Sequence, residues 1–130
     1  MAHELIASGT GTLVTAVQAN LGDLLKPLIR EIHLFDTYVA GTALLEDPAI
    51  LSRLQEGDKL KLKREISKFD DNAILVMTED GKKIGYIPEK DNPVFARLMD
   101  AGKLLSGRVI AIGERATLTR VRIGIYLVDF

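Results

Sequence analysis

Two hydrophobic rhythms divide the chain. Up to residue 31 apolar residues recur three and four apart: Leu13, Val14, Ala16, Val17, Leu21, Leu24, Leu25, Leu28 and Ile29. That spacing predicts an amphipathic helix, with Thr12 as its cap and the small polar run "ASGTGT" (7–12) as a connector before it. Gly22 and Pro27 interrupt the rhythm, so two short helices or one kinked helix are expected, with Asp23 as a second cap. The segment has more apolar faces than one solvent-facing helix shows. It fits either packing on the rest of the protein or a homo-oligomer interface through residues 13–30.

From residue 32 the period falls to two. "IHLFDTYVAG" (32–41) reads as a strand ending at Gly41, and "EDPAILSRL" (46–54) as one or two helical turns. The clearest strand is "EGDKLKLKREI" (56–66). Leu60 and Leu62 point one way and Lys59, Lys61 and Lys63 the other, so a core face backs a cationic stripe. "NAILVMT" (72–78) is apolar on both parities and predicts burial on both faces. Glu79-Asp80-Gly81 signals a hairpin turn into "KKIGYIP" (82–88), which Pro88 ends. Asn92 is expected to cap a helix with Pro93 at its first position, Val94, Phe95, Leu98 and Met99 as its buried stripe, and Gly102 as its terminator. The strands "LSGRVIAIG" and "ATLTRVRIGIYLVDF" flank a Gly-Glu-Arg turn. The second sorts Val121, Ile123, Ile125 and Leu127 onto one face, and Arg120, Arg122 and Tyr126 onto the other. Six or so short strands with two or three helices make a mainly β (α+β) fold, a small curved sheet or partly open barrel. The expected organisation is an N-terminal helical extension (1–31) and a barrel domain (32–130).

Composition narrows the chemistry. A chain of 130 residues, 47% hydrophobic and 27% charged, is an ordinary globular domain with at most an appendage. It has no cysteine, which removes disulfides, thiolate zinc sites and thiol catalysis, and fits a reducing compartment. Its two histidines, His3 and His33, give almost no material for a histidine metal cluster or a Ser-His-Asp triad, and no cofactor is expected. There is no basic stretch before an apolar core at the N-terminus, and no apolar run near the ~20 residues of a membrane span. A soluble, cytoplasmic protein is the expectation. The net charge of −1 hides an asymmetry: residues 1–58 carry three basic and eight acidic side chains, residues 59–130 fourteen and ten. A basic C-terminal body points to a polyanionic partner.

Taken in order, "VAGTA", "LQEGDKLKLKRE", "FDDNAILVMTEDGKKIGYIPEKDNPVFARLMDAG" and "LSGRVIAI" resemble the HIRAN domain over about residues 32–128. The most specific matches are Arg64-Glu65 followed by Asp71-Asn72-Ala73-Ile74, then Gly85-Tyr86-Ile87-Pro88, then Leu98 to Gly102. The resemblance implies an OB-like six-stranded β-barrel with helical insertions that binds single-stranded DNA, in eukaryotic members at a free 3′ end, in repair or replication. In those members an aromatic residue and an Asp before the Asn-Ala-Ile motif line the pocket for the terminal nucleotide. Phe69 and Asp70 hold these positions here, and Ser67 and Tyr86 match further contacts. The DNA-binding members also carry an Arg-Tyr pair at the end of the first strand. This chain has Ala43 and Leu44 there, so Tyr38 or Phe35 would have to substitute.

A carboxylate in a nucleic-acid groove repels phosphates, so Asp70 makes sense where the ligand offers a hydroxyl instead. It would accept a bond from a terminal 3′-OH and turn away a continuing strand. Phe69 would supply a stacking face, worth ~1–3 kcal/mol per base. Lys59, Lys61 and Lys63, or Arg120 and Arg122, would guide the preceding phosphates. Plainer roles compete: turn bonds for Asp71 and Asn72, an ion pair of Asp71 with Arg64, and a solvated face for the lysines. Gly85 reads as a site of close backbone approach. Two other function classes remain open. One is a Mg²⁺-dependent phosphodiester hydrolase using Asp70, Asp71 and one of Asp36, Glu65 or Glu79. The other is an oligomeric adaptor that has lost DNA binding. A candidate general base, a converging set of carboxylates and a Walker-type loop are all missing from the sequence, so non-catalytic DNA binding away from membranes is the favoured reading.

Overall fold

The computed structural model describes residues 29–115 and 118–129. In chain order they form β1 (Arg30–Tyr38), a 3-10 turn (Thr42–Leu44), α1 (Ala49–Ser52), β2 (Lys59–Arg64), β3 (Ile74–Thr78), β4 (Lys83–Tyr86), α2 (Asn92–Asp100), β5 (Leu105–Arg115) and β6 (Leu118–Asp129). A single sheet holds the strands in the order β1-β6-β5-β2-β3-β4. Glu31–Asp129 form one compact unit, and the helical pattern expected over 13–30 lies almost wholly outside the described residues.

Alternation sorts the sheet into two faces. In β2 Leu60 is buried and Leu62 partly so, while Lys59, Lys61 and Lys63 are exposed, as the period-two pattern demands. In β6 Val121, Ile123 and Ile125 are buried and Arg120 and Arg122 exposed. These inward residues join Ile74, Val76, Ile84, Ile87 and Val109 in the core. Burying each such side chain contributes about 1.5–3 kcal/mol.

The strand order has two ends, β1 and β4, and the chain brings them together just past β1. Ala40 and Tyr86 form an isolated antiparallel bridge, with N–O distances of 2.7 and 2.9 Å in the two directions. Only glycine permits this closure. Gly85 has φ of 151°, and a Cβ there would stand 2.3 Å from the Ala40 carbonyl oxygen and 2.5 Å from Val39 Cγ1. The result is a mainly β, OB-like half-barrel with few helices.

Four expectations are corrected. Asn92 does not cap α2. Asp91 holds the N-cap position without a side-chain cap bond, and its carboxylate accepts instead from the Thr37 hydroxyl of β1 at 2.7 Å. Val94 is exposed, and the buried helix side chains are Asn92, Phe95 and Ala96, with Phe95 against Phe35. β3 is not buried on both faces: Ile74 and Val76 are fully buried, Leu75 and Met77 only partly. Gly113-Glu114-Arg115 is not a turn, because β5 continues through it and pairs as far as Arg115 with Leu118. Gly102 ends α2 as expected. With φ of 91°, it directs its own N–H to Met99 O and that of Lys103 to Leu98 O.

Arg64, at the end of β2, ties the following loop to α2. Its guanidinium donates to Ala73 O and Asp71 O, both at 2.7 Å, and to both Asp100 oxygens at 2.9 and 3.2 Å. The Arg64 hydrogen bond holds the Asp100 carboxyl below its ordinary range, and that same bond raises Arg64.

Gly85→Ala should destabilise the domain by at least about 2 kcal/mol, since both obstructing groups belong to packed chain. A melt within experimental error of the parent would contradict the closure. Asp100 has a lowered folded pKa, so its contribution is present above the unfolded value of about 3.9 and is lost as pH falls through the folded value. Acid titration of stability should therefore be flatter for Asp100→Asn than for the parent below about pH 4.

Candidate nucleic-acid interface

The loop between β2 and β3 carries the residues singled out by the sequence, and its hydrogen bonds define what each is free to do. Asp70 Oδ1 accepts from the Asn72 main-chain N–H at 2.9 Å, a turn closed by the aspartate side chain. Asp70 Oδ2 accepts from Asn92 Nδ2 at 2.8 Å. Asn92 is only 1% exposed, so this bond satisfies an amide that water cannot reach. Asp70 thus joins the loop to the start of α2. Ser67 Oγ accepts from the Phe69 N–H at 3.1 Å, which shapes the loop tip and leaves the Phe69 ring 92% exposed. Asp71 is exposed, and its carbonyl rather than its carboxylate meets Arg64, which corrects the expected ion pair. Asn72 enters the turn through its backbone N–H. Ser67, Phe69 and Asp70 line none of the main clefts of the described residues.

The outward sheet face gathers the cations. Residues paired across neighbouring strands share a face, so the ladder can be read transversely. Lys63 lies opposite Leu75, which lies opposite Tyr86. Lys61 lies between Met77 and Ser106, and Ser106 faces Tyr126. Lys59 lies opposite Arg108. Among the described residues no carboxylate ion-pairs with these three lysines, whereas the arginines of the face are engaged. Arg108 meets Glu31 at 2.9 Å and Arg122 meets Asp36 at 3.3 Å, an aspartate that also contacts His33. The Arg120 guanidinium lies 4.8 Å from the centre of the Tyr38 ring. The lysine stripe on β2 and the arginine pair on β6 are thus two parts of one surface with β5 between them.

Tyr86 stands at the closure. Its hydroxyl donates to Glu65 at 2.9 Å and accepts at 3.1 Å from Lys83 Nζ, which lies 4.5 Å from the ring centre. It borders an open cleft of about 510 Å³ with Gly41, Leu44, Leu45 and Lys82. Leu44 is 87% exposed there. A second cleft is lined by Ala43 and Leu44 together with Tyr38 and Arg120.

Lys83 and Arg108 were missed from sequence, and Tyr126 was placed on this face without a role. Arg108 has the outward parity of Ser106, but a register shift between Val109 and Ala111 blurs the alternation that would have announced it. The acids of the metal reading are not brought together. Asp70 serves Asn92, Glu65 serves Tyr86 and Asp36 meets His33 and Arg122. Among the described residues no cluster of three or more metal-ligating side chains occurs, and no helix is long and apolar enough to cross a membrane.

Asp70→Ala should cost about 1–3 kcal/mol, because it strands the buried Asn92 amide. Pairing it with Asn92→Ala should show coupling in a double-mutant cycle of thermal or chaotrope melts. Strict additivity of the two losses would contradict the contact.

The HIRAN domain family matches residues 32–128. A crystal structure of a protein from Lactobacillus plantarum superposes with a TM-score of 0.72 at 30% identity, covering 78% of this chain and 99% of that one. The HIRAN domain of human HLTF superposes with a TM-score of 0.61 at 18% identity, covering 77% of this chain and 78% of that one. No curated protein matches. The family match takes in all six strands but for their outermost residues at the two ends, and the chain belongs to the HIRAN domain family.

Proposed function

We propose that this domain binds single-stranded DNA on the outward face of its sheet, without catalysing a reaction, and meets a free 3′ end at the loop 67–70. HIRAN domains are DNA-binding domains. The observation that carries the reading for this chain is the β2 stripe: Lys59, Lys61 and Lys63 stand exposed about 6.6 Å apart, with no carboxylate partner among the described residues. A row of uncompensated cations on a barrel face is an electrostatic seat for a sugar-phosphate backbone.

Two further observations support it. The first concerns the departure at Ala43 and Leu44. Arg120 and Tyr38 border the same cleft as those residues, so an arginine and a tyrosine arrive from β6 and β1 instead of from the turn itself. The second concerns the end. Phe69 offers a bare ring beside Asp70, whose oxygens each accept one bond and keep lone pairs for a hydroxyl. A phosphate in that place would be repelled. The setting in repair or replication follows from family members alone.

Fluorescence polarisation of labelled single strands ending in 3′-OH or 3′-phosphate tests the reading. The hydroxyl end should bind more tightly, and affinity should fall steeply with salt. Lys61→Glu should weaken binding to every sequence and reduce the salt slope by about 0.7 or more. Absence of binding at low salt would overturn the proposal. Equal affinity for the two ends would remove the role of Asp70 alone.

A further inference from the structure

All three tyrosines of the chain lie among the described residues, and all three stand on the outward face. Tyr86 is the register partner of Leu75, and Tyr126 that of Ser106. Tyr38 meets Arg120, which shares the outward parity of β6 with Arg122 and Tyr126. Each ring also has a cation against it, over the ring at Tyr126 and Tyr38 and at the hydroxyl edge of Tyr86, where Lys83 Nζ donates to the phenol oxygen at 3.1 Å. Lys83 Nζ is 4.5 Å from the centre of Tyr86, Arg108 Cζ 5.5 Å from Tyr126, and Arg120 Cζ 4.8 Å from Tyr38. The three cations come from three different strands, β4, β5 and β6.

We propose that these three rings form a stacking track for single-stranded DNA, with the cation at each ring giving way to a base. The proposal rests on the DNA-binding reading above and extends it from one loop to the sheet. A cation over a partly exposed ring is held weakly, whereas a base stacks more strongly on the same face. The displaced ammonium or guanidinium then stands beside the incoming phosphate, so one exchange supplies both a base contact and a backbone contact. Tyr86 on β4 and Tyr126 on β6 are separated by three strands, on the order of 20 Å along the surface. The interval is filled by Lys61 and Lys63, which face outward on the central strand of the three. Glu65 accepts from the Tyr86 hydroxyl and fixes that ring by its edge, while Glu31 ion-pairs with Arg108, so Arg108 leaves the Tyr126 face only by giving up that contact or swinging about it.

Tyrosine emission reads this surface directly, because the chain has no tryptophan and its three tyrosines are all on it. Short oligo-dT should quench that emission, whereas inorganic polyphosphate and oligo-glutamate, which carry charge without flat rings, should not. Tyr126→Leu and Tyr38→Leu should each weaken oligo-dT binding about tenfold, and Tyr126→Phe should bind within about twofold of the parent. Should a leucine variant fail to fold by circular dichroism, the quench on the unaltered chain still decides. Oligo-dT that binds by polarisation without quenching, or polyphosphate that quenches equally, overturns the track and leaves DNA binding standing. Absence of any oligo-dT binding by the unaltered chain at low salt overturns both.

Discussion

A backbone approach that only glycine allows holds the two ends of the sheet together. At Gly85 the chain of β4 passes so close to Val39 and Ala40 that even a methyl group would collide with a main-chain oxygen. The Ala40–Tyr86 bridge made possible there turns an open row of six strands into a half-barrel. It also fixes where Tyr86 stands, at the rim of the cleft shared with Gly41 and Leu44. Every later feature of the surface inherits this geometry, because curvature decides which outward side chains converge.

A second set of contacts fixes the loop after β2. Arg64 gathers two carbonyls and the Asp100 carboxylate, while Asp70 gathers a backbone amide and the buried Asn92. Both residues spend their polar groups on α2 and the loop itself. What remains unspent is the tip, Phe69, and the cationic strand leading up to it. The division is between groups that hold the shape and groups the shape presents. Asp70 lies on the boundary, structural through its present bonds and available through its remaining lone pairs.

Much of the sheet was legible because alternation is a local signal that burial of one face enforces. β2 and the inward residues of β6 read correctly for that reason. The misreadings have equally physical causes. Asn92 before Pro93 looks like a cap, but its partner is Asp70, twenty-two positions earlier, and no local pattern announces so distant a bond. Gly113 looks like a turn, but β5 and β6 pair for their full length beyond it. Arg108 was hidden by a register shift, and the covering of tyrosines by cations depends on neighbours from other strands. The family's motif positions were visible in sequence. The substitution of Arg120 and Tyr38 beside Ala43 and Leu44 required the fold.

The central claim is that the outward sheet face, and not α2 or the far cleft beside α1, receives the nucleic acid. A two-dimensional amide NMR titration with short oligo-dT tests it residue by residue. The account predicts shifts concentrated at Lys59–Lys63, Lys83–Tyr86, Ser106–Arg108 and Arg120–Tyr126, with a second group at 67–70. Shifts confined to α2, or to Ile50, Arg53 and Asp58 around α1, would contradict it.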